Sequence, residues 1–298
     1  MDSVPITFCD SVCALFYMIN PQKFPFCSQV WEAAASESFE KRENLMLGIG
    51  YTAGVWSYEL KDCFKGLMKG RKFSFEELKR TDMHVRVGAV CLVDSSLYTQ
   101  KSSLKEINQI IDYTLSYLFN PTMFIYCGQE IPKEAFSAFL ARYQSVPFQN
   151  FNVRDRNNWV EEFLIRQLQS AEFMSYLDLP SSKEPFSEEF RLAIEEFAIS
   201  KHFRSFHLEK TKIVFNKAFF ERLFEKSSPE IRFSHRFSAE FSFNLAELKA
   251  FKPELQSDPK LSEVENSNCV RWERADGVKV DATQKARTRV IEIDLFKC

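Results

Sequence analysis

Four short runs decide the fold: Met123-Phe124-Ile125-Tyr126, Phe148-Gln149-Asn150-Phe151-Asn152-Val153, Phe173-Met174-Ser175-Tyr176-Leu177-Asp178-Leu179 and Phe203-Arg204-Ser205-Phe206-His207-Leu208. Each is rich in aromatic and aliphatic residues and has the length of a strand. Three of them open on an aromatic-x-x-aromatic pattern. Phe124, Phe148, Phe173 and Phe203 follow one another at intervals of 24, 25 and 30 residues, a period that marks a solenoid-like α/β array.

Between these runs lie apolar stripes at helical spacing: Ala135, Phe136, Phe139, Leu140 and Tyr143; Trp159, Phe163, Leu164 and Leu168; Phe186, Phe190, Ile194 and Phe197; Phe219, Phe220, Leu223 and Phe224. Asn158 followed by Glu161 supports a helix start there. One strand with one helix cannot bury its apolar side alone, whereas stacked units share a continuous core. The expectation for Pro121 to Lys226 is therefore a set of parallel strands with helices along one face. The other face then offers strand residues and loop ends to a partner. If the phase holds, the polar residues Gln149, Asn152, Arg204 and His207 point away from the aromatic core and form that surface.

N-terminal to the array, Val4-Pro5 followed by Phe8, Val12, Leu15, Phe16 and Ile19 reads as a short amphipathic helix. Asn20-Pro21 and Pro25 interrupt it before a second helical patch containing Val30 and Trp31. Leu45 to Leu60 alternates around Thr52-Ala53-Gly54 and reads as a hairpin. The glycines Gly48, Gly50 and Gly54 lack both the spacing and the following helix of a dinucleotide-binding turn. Val85 to Val93 is a further strand. Ser102 and Ser103 open a helix whose apolar residues, Ile107 through Leu118 and Phe119, continue to a stop at Pro121.

C-terminal to the array the period shortens to two: Phe233, Phe237, Ala239, Phe241 and Phe243 predict a strand, and Lys252 to Asn268 a polar loop. Val270-Arg271-Trp272 and Val278-Lys279-Val280 flank an Asp276-Gly277 turn, the signature of a hairpin. Ile291, Ile293 and Leu295 place a last strand within Thr288 to Phe296. Lys285, Arg287 and Arg289 read as charges that protect a strand edge.

Composition narrows the chemistry. The 298 residues are 45% hydrophobic and 27% charged, enough for a sizeable core, and 31 are phenylalanine. Only 8 are glycine, so phosphate-cradling loops have little raw material, and a net charge of −2 creates no field for nucleic acid or acidic membrane. The eight cysteines (Cys9, Cys13, Cys27, Cys63, Cys91, Cys127, Cys269 and Cys298) form no C-x-x-C pair and read as reduced thiols. No run approaches a membrane span, and no charged flank makes Val12 to Ile19 a signal peptide, so a cytoplasmic or nuclear setting is expected. Four histidines, His84, His202, His207 and His235, show no ligand spacing with cysteine pairs upstream. The expectations are no metal, no cofactor and no catalytic residue.

Two stretches carry a family resemblance. Val4-Pro5, Phe8, Val12 and the downstream Trp31 resemble a degenerate F-box. The Val270–Val280 hairpin, the Ile291-to-Phe296 strand and the aromatic-rich α/β middle are similar to the F-box-associated domains abundant in nematodes. The resemblance implies three regions: an F-box-like helical module at 1–45, a hairpin, strand and helix connection at 46–120, and a repeat-like α/β domain at 121–298. The fold class expected is α/β, α+β overall, with leucine-rich-repeat-like stacked β–α units and a β-rich end. The resemblance further implies that Val4, Pro5, Phe8, Val12 and Trp31 shape a docking surface for a Skp-type adaptor. The chain would then be the non-enzymatic substrate receptor of a Skp-cullin-F-box ubiquitin ligase. A protein-binding scaffold without ligase association is the alternative.

Overall fold

The computed structural model describes residues 29–40, 43–62, 70–80, 85–93, 98, 100–126, 131–154, 158–170, 174–179, 185–200, 203–208, 211–226, 235–248, 250–256, 268–284 and 288–297. Val4, Pro5, Phe8, Val12, His84, Phe173, His202, Phe233, Lys285 and Arg287 lie outside them, as do Cys9, Cys13, Cys27, Cys63, Cys127 and Cys298. The chain is mixed α/β and divides into two units, residues 1–91 with 95–119, and residues 92–94 with 120–298.

In the first unit, α1 (Gln29–Glu40) precedes the hairpin of β1 (Glu43–Thr52) and β2 (Val55–Asp62). Ala53 and Gly54 form its turn with φ of 50° and 84°. Positive φ at both central residues gives a twist that matches the flanking strands, and the turn closes on the Thr52–Val55 pair. The register sets Leu47 against Leu60 and Ile49 against Tyr58, an apolar ladder on one face. On the other face the ring of Tyr98 lies over Gly48 so closely that a Cβ there would collide with it. The far edge of β2 takes β3 (Lys72–Phe73) and β5 (Gln100–Ser102). The unit also holds α2 (Phe75–Arg80) and β4 (Val85–Val93).

Helix α3 (Leu104–Leu115) starts as its sequence directs. Ser103 Oγ accepts the Glu106 N–H at 3.2 Å, and Ser102 Oγ donates to Glu106 Oε2 at 2.6 Å. Its end differs from expectation, because the helix stops at Leu115 and not before Pro121. The Tyr117 N–H turns back to the Thr114 carbonyl, and Leu118 already opens β6 (Leu118–Tyr126). Pro121 sits within that strand, and its carbonyl accepts from the Gln149 N–H at 3.0 Å.

The second unit alternates strand and helix. After β6 come α4 (Lys133–Arg142), β7 (Asn150–Val153), α5 (Asn158–Ser170), β8 (Met174–Asp178), α6 (Glu188–Ala198), β9 (Phe203–His207), β10 (Val214–Phe215), α7 (Lys217–Lys226) and β11 (His235–Phe241). Strands β6, β7, β8, β9 and β11 are parallel neighbours in that order. The short helix α8 (Leu245–Leu248) leads on to β12 (Asn268–Glu273), β13 (Val278–Gln284) and β14 (Val290–Lys297). The last strand returns to pair antiparallel with β11, and β13 and β12 follow outward. The segment expected as a loop from Lys252 begins with a tight helical turn at Pro253–Leu255, and Gln256 then bridges Trp272.

The core lies between these strands and their helices. Phe163 of α5 meets Phe151 edge-on at 6.0 Å, Phe197 of α6 stacks on Phe206 at 5.7 Å, and Phe219 of α7 packs on Phe237 at 5.3 Å. Phe148, Phe151, Phe203, Phe206 and Phe237 are fully buried, each such side chain contributing about 1.5–3 kcal/mol. Neighbouring helices are also tied by buried polar groups. Gln167 of α5 donates to the Tyr143 and Gln144 carbonyls beyond α4, and Glu161 accepts the Ser187 N–H at the head of α6 at 2.8 Å. Glu195 of α6 pairs with Arg191 on its own helix and Arg222 on α7.

A candidate protein-binding face on the second unit

The recurring motif in this unit is a core residue, two others, a core residue, one other and a core residue. Phe148, Phe151 and Val153 occupy the core positions in one repeat, and Phe203, Phe206 and Leu208 in another. The last two alternate as a strand requires, and the first, just before or at the strand's start, packs on core rings, Phe148 on Phe151 and Phe203 on Phe206 and Phe237. In the repeat between them the core positions are Met174, Leu177 and Leu179, all buried. The aromatic-x-x-aromatic reading of Phe173 and Tyr176 is thus one residue out of frame, and Tyr176 faces away from the helices.

That opposite face is built row by row from the register. In one row Thr122, Asn150, Tyr176 and Ser205 stand beside one another on β6 to β9, and Arg236 continues it on β11. Asp294, Asp281 and Arg271 extend the same row across β14, β13 and β12. The next row runs Phe124, Asn152, Asp178 and His207 to Ser238. All the side chains from β6 to β9 in these two rows are half-buried.

Polar contacts hold the surface in place. Asn150 Nδ2 donates to Thr122 Oγ1 at 3.1 Å, and Asn152 Nδ2 to Asp178 Oδ2 at 3.3 Å. Arg154 Nη2 lies 3.4 Å from the same carboxylate oxygen. Ser205 Oγ and His207 Nε2 are 3.1 Å apart, and the His207 ring sits 5.3 Å from that of Tyr176. Burial pushes the Tyr176 hydroxyl above its ordinary pKa, the negative charge of Asp178 adds to the shift, and Arg154 opposes it. Further along, Arg236 Nε reaches Asp294 at 2.8 Å and Glu292 at 3.0 Å, and Arg271 Nε reaches Asp281 at 2.6 Å.

The residues proposed from the sequence fall in different places. Asn152 and His207 stand in one row on either side of Asp178. Gln149 lies in the bend before β7, where its carbonyl accepts from Ser175 and Tyr176 N–H groups. Arg204 shares the parity of Phe206 and Leu208 and so stands outside the row formed by Ser205 and His207. Trp31 is on α1, half-buried against Ala34 and Ala35 together with Val30. The sequence did not single out Tyr176, Asp178, Ser205 or Arg154. Setting the core frame on Leu177 and Leu179 would have found the first two.

Among the described residues no group of three or more His, Cys, Asp or Glu side chains is placed to hold a metal ion. No described helix is long and apolar enough to cross a membrane. Cys91 is buried beside Tyr98, and burial lifts its thiol to about 11, so that it is a poor nucleophile near neutral pH. Comparison with family models, with curated proteins and with solved structures finds no match for this chain.

Proposed function

We propose that the second unit is a protein-recognition scaffold and that the chain serves as the substrate receptor of a Skp-cullin-F-box ubiquitin ligase. The observation that supports it is the face just described: half-exposed aromatic, amide, hydroxyl and charged side chains in register on parallel strands. Several of these side chains are already tied to one another by hydrogen bonds, which reduces the ordering lost on association. The buried core-x-x-core-x-core pattern and the neighbour-to-neighbour strand order favour reading the array as leucine-rich-repeat-like. In this reading the face selects the protein to be ubiquitylated, and Val4, Pro5, Phe8, Val12 and Trp31 dock the adaptor. Catalysis belongs to other subunits.

The test is co-purification of a Skp-type adaptor with the intact chain and with a Pro5→Asp, Val12→Asp variant. The intact chain should retain the adaptor and the variant should lose at least about tenfold of it, a difference of about 1.4 kcal/mol. Absence of adaptor from both removes the ligase assignment. A variant altered at Asn152 and Tyr176 should keep the adaptor and lose the substrate.

A further inference from the structure

We infer that the partner bound on this face presents a cationic side chain, lysine or arginine on an extended segment, to Asp178; this rests on reading the face as a docking surface. Asp178 occupies the middle of its row, between Asn152 and His207, and its side chain is 20% exposed. The contacts from Asn152 and Arg154, at 3.3 and 3.4 Å, are longer than the roughly 2.7–2.9 Å of a strong charge-assisted bond. Arg154 is itself 55% exposed, and a pair of that kind contributes about 0–1 kcal/mol. The Tyr176 hydroxyl hydrogen-bonds the same carboxylate, which is therefore largely out of bulk water and held by two neutral donors, its contact to a cation being the long one to the exposed Arg154. A cation brought against it would add a positive charge that Arg154 supplies only weakly.

The surroundings fit a cation better than any other group. Tyr176 and His207 place their rings together on one side of Asp178, and Phe124 stands beyond Asn152 on the other. Ring faces attract ammonium and guanidinium groups once these are partly desolvated. The charge of the wider face points the same way. Among the described residues, Asp178, Glu240, Glu273, Asp281, Glu292 and Asp294 share this face with Arg154, Arg236, Arg271 and Lys279, six carboxylates against four cations. Asp281 and Asp294 are direct register partners and are already paired with Arg271 and Arg236, so the negative excess of the face is modest. A basic segment would be drawn to this surface and an acidic one repelled.

A random-peptide display library selected on the full chain provides the test. Lysine- or arginine-bearing peptides should be enriched, and Asp178→Asn, which is isosteric, should weaken a selected peptide at least about tenfold while the melting temperature stays unchanged. Asp178→Lys should turn the selection toward aspartate- and glutamate-bearing peptides. Enrichment of uncharged or acidic peptides that depend on Asn152 and Tyr176 would overturn the cation requirement and leave the docking face standing. An empty selection, or peptides indifferent to every substitution on the face, would overturn both.

Discussion

Glu195 shows how one residue can be read in energetic terms. Its side chain is 4% exposed between Arg191 and Arg222. Burial raises its pKa above the usual carboxylate value, and the two arginines only partly oppose the shift. A carboxyl whose folded pKa is raised binds its proton more tightly in the folded state. Stability therefore grows as pH falls through the raised folded value toward the ordinary 4.5 and is smaller at neutral pH. Two outcomes are expected in urea titrations. Glu195→Gln should be nearly neutral at pH 7, and the wild type should gain on it as the pH is lowered toward 5. Arg222→Ala should cost more, about 1–3 kcal/mol, because it leaves the carboxylate under-compensated, though Arg222 is too exposed for the full penalty of a buried pair. A wild type that loses stability relative to the glutamine variant on acidification would show that the arginines outweigh burial. At this scale the site was half legible from sequence. Asn152 and His207 declared themselves by alternation with phenylalanine, whereas Tyr176 was drawn into the core by its aromatic ring. Only the burial of Leu177 and Leu179 fixes its direction.

At the scale of the element, starts were easier to read than ends. Ser102, Ser103 and Glu106 announce the head of α3 by side-chain hydrogen bonds within five consecutive residues, which depend on nothing distant. Its end depends on where β6 begins, and Leu118 and Phe119 suit helix and strand alike; only tertiary pairing chooses. Ser103→Ala should cost about 1 kcal/mol by removing the cap, read as a fall in the urea midpoint with an unchanged slope. In β1, Gly48→Ala should cost about 1–3 kcal/mol, since the new methyl group must displace the Tyr98 ring. The pair is diagnostic: Gly48→Ala combined with Tyr98→Ala should recover part of the loss, and equal losses in the single and double variants would mean that the ring is not the obstacle.

Across the whole second unit, local periodicity was enough for the order of β6, β7, β8 and β9, because each of these strands lies beside its predecessor with one helix in the crossover; that β11 continues the parallel set was not legible. The place of β14 was not legible. Its alternation marks a strand, but nothing local says that the last strand of the chain joins β11 and carries the β12–β13 hairpin with it. That closing pair sets an energetic expectation. In a stacked array each repeat is stabilised mainly through its neighbours, so damage should spread to both sides. Phe206 touches Phe197, Phe203 and Phe237, linking α6, β9 and β11. Phe206→Ala should cost about 3–5 kcal/mol, and hydrogen exchange should accelerate together in β8, β9 and β11. The β12–β13 hairpin, held by its own register and by Trp272 packed on Phe220, Phe224 and Phe251, should respond less. Faster exchange confined to β9 would show that the parallel strands do not share one cooperative core, and the case for a preorganised binding face would weaken with it.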